Sequence, residues 1–327
     1  MTTFADGVFQ YGGQPVGALP FTGQAWFVKP NTGSDSYSGK KPNRAFATLS
    51  KALSASTADN GDVVYFIAES ASAASCTDYL SAALDWNKDG VHLVGVNAGN
   101  ALGQRSRIAP LVSVATIEDL FTVSADGCLI ANILVYDGDV TASTATAPRA
   151  VVVSGERNHF VNCQFSLGGD AAGANSLDVA GARALSVTGG ENLFENCYLG
   201  LDTLLKATQE AEVDLATGAR NIFRKCMFAT YTSNASMVLV SVAASVDRFA
   251  FFDECSFYAA ANITSATAPN GAFNAVANNG LVLLKNPFIA GITDITAADN
   301  TYIKVLGFLG TTANANLTGL AQSVDAA

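Results

Sequence analysis

Four short stretches align on a cysteine: NHFVNCQF (158–165), NLFENCYL (192–199), NIFRKCMF (221–228) and AFFDECSF (250–257). Their cysteines, Cys163, Cys197, Cys226 and Cys255, lie 34, 29 and 29 residues apart. A phenylalanine stands three residues before each (Phe160, Phe194, Phe223, Phe252), and a large apolar residue two after (Phe165, Leu199, Phe228, Phe257). Weaker copies extend the series. CLIANILV (128–135) sets Ile130, Asn132 and Ile133 in the Phe, Asn and Cys places, and LVLLKNPF (281–288) offers Leu284, Asn286, Pro287 and Phe288. VVYFIAES (63–70) and VHLVGVNA (91–98) continue the series upstream. Short apolar runs recurring about every 30 residues mark a solenoid, whose repeats bury their apolar faces only by stacking on one another.

Parity within the repeat selects the kind of solenoid. A flat strand alternates its side chains, so Phe160, Cys163 and Phe165 cannot share one face. A corner that absorbs one residue resets the phase, and Asn162 and Asn196 suit it because asparagine tolerates the left-handed backbone. Lys225 and Glu254 hold that place in the later repeats. The apolar positions lack the i, i+3, i+4, i+7 recurrence of a helix, and Phe, Val, Ile and Tyr dominate the runs. The expectation is an all-β protein, a parallel β-helix of seven or eight coils. Stacked coils place equivalent residues about 4.8 Å apart. The cysteines then form a ladder of small buried hydrophobes needing neither metal nor oxidation, and the phenylalanines form aromatic stacks.

Composition agrees and excludes several function classes. The 327 residues are 49% hydrophobic and only 14% charged, with a net charge of −10. An acidic chain lacks the basic stripe that would displace counterions from nucleic acid, and it would be repelled by an anionic membrane surface. So apolar a chain can bury enough surface to offset its ordering entropy. No apolar run approaches the length of a membrane span, and MTTFADGVFQ (1–10) lacks the basic and apolar regions of a secretory signal. Only two histidines occur, His92 and His159, which weakens readings based on zinc or nucleophilic triads. No cofactor and no metal are expected.

The stretch AWFVKPNTGSDSYSGKKPNRAFATLSKALSAS (25–56), followed by NGDVVYFIAES (60–70), resembles the opening of pectate-lyase-like right-handed β-helix proteins. The matching residues are Asn31, Gly33, Ser34, Asp35, Ser38, Gly39, Phe46, Ala47, Thr48, Leu49, Gly61, Asp62 and Val64. The resemblance implies a short capping helix over the first coil, whose open edge would otherwise recruit other strands. Residues 1–24, rich in glycine with scattered aromatics, are similar to the start of β-helix virion proteins of tailed bacteriophages. That likeness implies three parts: an extended N-terminal arm (1–24) anchoring the chain to a particle, a β-helix body (25–290), and a C-terminal cap or inter-subunit segment (291–327). It implies a homotrimer assembled in the host cytoplasm and placed on the capsid surface, with the major capsid protein or other virion proteins as partners. Phe4, Val8, Phe9 and Tyr11 are the candidate anchoring residues, being costly to leave in water.

The same fold hosts polysaccharide hydrolases and lyases, so a glycan-binding or glycan-cleaving tailspike is the competing expectation, and a non-catalytic adhesin a third. A hydrolase needs paired carboxylates roughly 5–10 Å apart. The pectin-hydrolase signatures N-T-D, D-D, G-H-G and R-I-K are missing. Asp137 with Asp139 reads as a turn after a strand. Glu118 with Asp119, and Asp253 with Glu254, are neighbours that a strand points to opposite faces. Arg157, Arg183, Arg220 and Arg224 recur near coil corners, while Glu210, Glu212 and Asp214 read as a solvated acidic surface. NTGSDSYSG (31–39) lacks the closing bidentate glutamate of a calcium loop. No catalytic residue is assigned; an enzyme requires an outward carboxylate cluster, an adhesin exposed aromatics along one flank.

Overall fold

The computed structural model describes residues 22–69, 72–96, 106–111, 117–138, 146–168, 177–274, 280–296 and 302–306, together with the backbone of 10–11 and 14–15. It is a right-handed parallel β-helix with three sheets. Sheet I has ten strands, from Ala25–Val28 to Ile303–Leu306; sheet II has eight, from Thr77–Leu80 to Phe288–Ala290; sheet III has six, from Leu84–Trp86 to Val238–Val242. A typical coil runs through His159–Val161 of sheet I, Gln164–Leu167 of sheet II and Arg183–Val187 of sheet III before re-entering sheet I at Leu193–Glu195. Among the described residues six coils carry a strand on all three sides, fewer than the seven or eight expected. Beyond them, among the described residues, sheet III continues through the single bridges Val240–Phe273 and Phe273–Thr296. Ile303–Leu306 pairs with Gly280–Lys285, so sheet I runs on past residue 290.

The repeat becomes a core through register. Phe160, Phe194, Phe223 and Phe252 are successive partners in sheet I, and their rings stack with centroids 4.6, 4.6 and 4.9 Å apart. Phe165, Leu199, Phe228 and Phe257 are likewise successive partners in sheet II, where the Phe228 and Phe257 rings stack at 4.9 Å. Cys163, Cys197, Cys226 and Cys255 are free thiols buried between the two ladders. Each thiol donates to a carbonyl of the preceding coil, as from Cys226 Sγ to Phe194 O at 3.3 Å. Burial pushes the Cys163 and Cys226 thiols up, which keeps them protonated and inert.

The phase reset falls at the left-handed residue before each of these positions. Asn132, Asn162, Asn196, Lys225, Glu254 and Asn286 have φ between 48° and 58°. Arg157, Glu191, Arg220 and Arg248 make the corner from sheet III into sheet I, also at positive φ. Arg224 ends the strand Ala219–Arg224 next to the corner residue Lys225, and Arg183 begins the strand Arg183–Val187. In the last repeat Ile289, not Phe288, partners Phe257; Phe288 lies one position out of phase and is exposed.

A second buried ladder supports the corners. Asn158, Asn192 and Asn221 stand two residues before the stacked phenylalanines, each almost wholly buried. Asn192 Oδ1 accepts from Asn158 N at 2.9 Å, while Asn192 Nδ2 donates to Gly155 O at 3.0 Å. Asn158 and Asn221 repeat both bonds one coil away on either side. Backbone groups that turn away from the sheet ladder thus find partners inside the core.

The first coil is closed as expected, by the helix Leu49–Ala55, which turns Leu49, Ala52 and Leu53 inward. Thr48 caps it, accepting from Lys51 N at 3.2 Å. Asp35 of the NTGSDSYSG turn accepts from Ala47 N, Thr48 N and Thr48 Oγ1, a structural role for that motif. Gly39, at φ +68°, lies flat against the Phe46 ring, where a Cβ would sit 2.1 Å from a ring carbon. Burial pulls the Asp62 carboxyl upward, but hydrogen bonds from Trp26 Nε1, Thr57, Gln24 and Asn60 outweigh it and hold the group low. Asp62 therefore knots the entry strand to the first coil as a carboxylate.

Candidate functional site

Residues that alternate with the core phenylalanines project from sheet I. One outward row, immediately after the core position, reads Val161, Glu195, Arg224, Asp253, Lys285. Its charges alternate in sign, and each reaches its neighbour. Arg224 lies 3.6 Å from both Glu195 and Asp253, and Lys285 Nζ is 2.8 Å from Asp253 Oδ1. His159 Nε2 closes the upper end, 3.3 Å from Glu195 Oε2. The hydrogen bond from Lys285 to Asp253 raises the lysine's pKa, binding the pair more firmly in the charged state. The neighbouring outward row is apolar and half-buried: Leu129, Leu193, Ile222, Phe251 and Leu283, with His159 among them.

Chemically this strip suits contact better than turnover. Glu195 and Asp253 stand two coils apart with Arg224 between them, and each carboxylate is held by two basic side chains. A general base needs a free lone pair poised near the working pH.

A second group lies at the edge of sheet III. Arg149 grips Asp119 bidentately, Nε to Oδ1 at 2.6 Å and Nη2 to Oδ2 at 2.9 Å. Arg149 and Arg183 are partners in register, as are Ser186 and Asp214. Burial raises the Asp214 carboxyl against the opposing pull of Arg183 and Arg149. Glu118 accepts from Ala147 N and Thr146 Oγ1. Glu210 is exposed, as the expected acidic surface requires, but that expectation is corrected for Glu212 and Asp214, which lie in the strand Ala211–Leu215. Glu212 is fully buried, ion-paired with Lys206 and hydrogen-bonded by Gln209 Nε2, and Asp214 is half-buried. Neighbour spacing missed this because Lys206 reaches Glu212 across a turn.

Asp137, expected in a turn, ends the strand Leu134–Asp137 and is buried; Asp139 lies outside the described residues. Glu254 occupies a corner beside Lys225, facing away from Asp253. His92 accepts from Leu129 N at Nδ1, and burial lowers its pKa. Phe4, Val8 and Phe9 lie outside the described residues, and Tyr11 is described only as backbone of the strand Gln10–Tyr11, paired with Gln14–Pro15. The charged row was missed in the sequence although its signal is there: the residue after each core position reads V, E, R, D, K.

No family model matches the chain, and no curated protein matches it either. Solved structures do. A pectin methylesterase variant in complex with a hexasaccharide superposes with a TM-score of 0.50 at 15% identity, over 88% of this chain and 81% of the other. The pectin methylesterase PemA of Erwinia chrysanthemi gives 0.47 at 14% identity, over 88% and 81%. A rhamnogalacturonan lyase gives 0.43 at 16%, over 82% and 68%. At such identities the likeness establishes the pectate-lyase-like β-helix fold, a fold used by carbohydrate-active enzymes, and nothing finer.

Proposed function

We propose that this chain is a structural protein of a tailed-bacteriophage virion, a decoration or cement protein that self-associates, as a homotrimer, on the capsid surface. The observation that carries the reading is the outer face of sheet I. Its carboxylates are spent on neighbouring cations, and an apolar row runs beside them, as suits a rigid body built for contact. The sequence likeness of residues 1–24 to virion β-helix proteins supplies the setting, with the arm as anchor.

The second reading, a receptor-binding protein that binds or cleaves host polysaccharide, draws on the hexasaccharide complex of the structural neighbour. The deciding measurement is the copy number of this chain per virion relative to the major capsid protein. Hundreds of copies support decoration. A few to a few tens overturn it in favour of the tail, and release of reducing ends from host polysaccharide then tests cleavage.

A further inference from the structure

The outer face of sheet I changes character along the solenoid. In the inward register Trp26, Val64, Leu93 and Ile130 follow one another, so Val63, Tyr65, Val94 and Ala131 point away from the core. An outward residue on a single-layered sheet is ordinarily wet. These four are only 0%, 7%, 9% and 7% exposed, and they form an apolar cluster separate from the main core. In the later coils the row that continues Tyr65, Val94 and Ala131 turns charged, at Glu195, Arg224, Asp253 and Lys285, and the row of Val63 continues through Leu193, Ile222, Phe251 and Leu283, all only half-buried. Burial also pushes the Tyr65 phenol up to about 12. Something apolar covers the first coils and leaves the later ones open.

The segment best placed to do so is the chain's own beginning. The described body starts at Thr22, three residues before the first strand of sheet I, so residues 1–21 leave the body at the edge of this face. They carry a single charge, Asp6, and include Phe4, Val8, Phe9, Leu19 and Phe21. Because Gln10–Tyr11 doubles back on Gln14–Pro15, the usable tether is the stretch from Pro15 to Thr22, which spans up to about 23 Å at roughly 3.3 Å per residue, against about 15 Å for the four strands in question. An aromatic-bearing segment with a single charge, tethered beside an apolar face, binds it at high effective concentration.

We propose that residues 1–21 lie across the outer face of sheet I of their own body, over Val63, Tyr65, Val94 and Ala131. One consequence rests on the virion reading: the anchor is sheathed in the free protein. It leaves this face only when a particle offers a competing apolar surface, so the bodies do not associate through bare arms before assembly.

The test is photo-crosslinking in the full chain. p-Benzoylphenylalanine in place of Tyr11 is expected to give a product of monomer mass whose crosslink maps to residues 63–67, 92–96 or 129–131. The reciprocal variant, with the same probe in place of Phe27 on the body, is expected to capture residues 1–21 of the same chain. Crosslinks mapping elsewhere overturn the proposal, as do crosslinks formed only between chains, which would make a second copy the occupant. Particle attachment is read separately on purified virions. A mapped crosslink in a chain that binds no particle overturns the anchor reading while leaving this contact in place.

Discussion

The side chain of Asn192 uses both ends of its amide inside the core, accepting from Asn158 N and donating to Gly155 O. Truncation leaves both partners dry. Each orphaned buried group costs about 1–3 kcal/mol, so Asn192→Ala is expected to lower stability by about 2–4 kcal/mol in chemical denaturation. A loss below 1 kcal/mol would show that water reaches the corner. The Lys206–Glu212 pair makes a sharper case, because both side chains are almost wholly buried. Lys206→Met alone strands a buried carboxylate and is expected to cost about 3–5 kcal/mol. The double variant Lys206→Met/Glu212→Leu should regain most of that loss, since a dry apolar pair avoids the desolvation penalty. If the double variant is no better than the single, the pair contributes through geometry rather than charge.

Among the elements, the corner is where sequence variation meets a fixed backbone. The left-handed position is held by Asn in four coils, by Lys225 in one and by Glu254 in another. A non-glycine residue there costs about 1–2 kcal/mol, and asparagine less, because its short polar side chain bonds locally. At Asn162 the side chain also bonds along the stack, Nδ2 donating to Asn132 Oδ1 of the preceding coil at 2.7 Å. Lys225→Asn is therefore expected to stabilise the body by about 0.5–1 kcal/mol, read as a rise of a few degrees in Tm. The exposed Lys225–Glu254 contact it removes, at 4.0 Å, is worth little. A fall in Tm would mean that the lysine stem packs usefully against the neighbouring coil.

Over the whole molecule, the capping helix and the first strand of sheet II are joined by Asp78, which is almost wholly buried and accepts from Leu49 N at 2.7 Å. Burial raises its carboxyl to about 6, with a smaller push from Asp35, against an ordinary value of 3.8. The folded state thus holds a proton that the unfolded chain has already released between those values. Stability from this group is fully present below about pH 4 and is lost as pH rises through 6. The loss is about 3 kcal/mol for two pH units. Asp214, raised in the same direction, adds to the slope. Denaturation midpoints of the native chain should fall from pH 4 to 6.5, and Asp78→Asn should flatten that fall. An unchanged slope in the variant would assign the pH dependence elsewhere.

The parallel β-helix, its capping helix and the corner at Asn162 were legible in the residues, because one coil must repeat the same inward pattern and a strand alternates with period two. The alternating row Glu195, Arg224, Asp253, Lys285 was equally present, one column after the phenylalanines, yet each charge by itself reads as a solvated surface group. Stacking the coils brings side chains 29 to 32 residues apart within reach of one another, and that turns a column of letters into a row of ion pairs. The burial of Glu212 against Lys206 and the covered outer face at Val63 and Tyr65 were not legible at all. Local pattern tells which way a side chain points; only the packed chain decides what, if anything, stands in front of it.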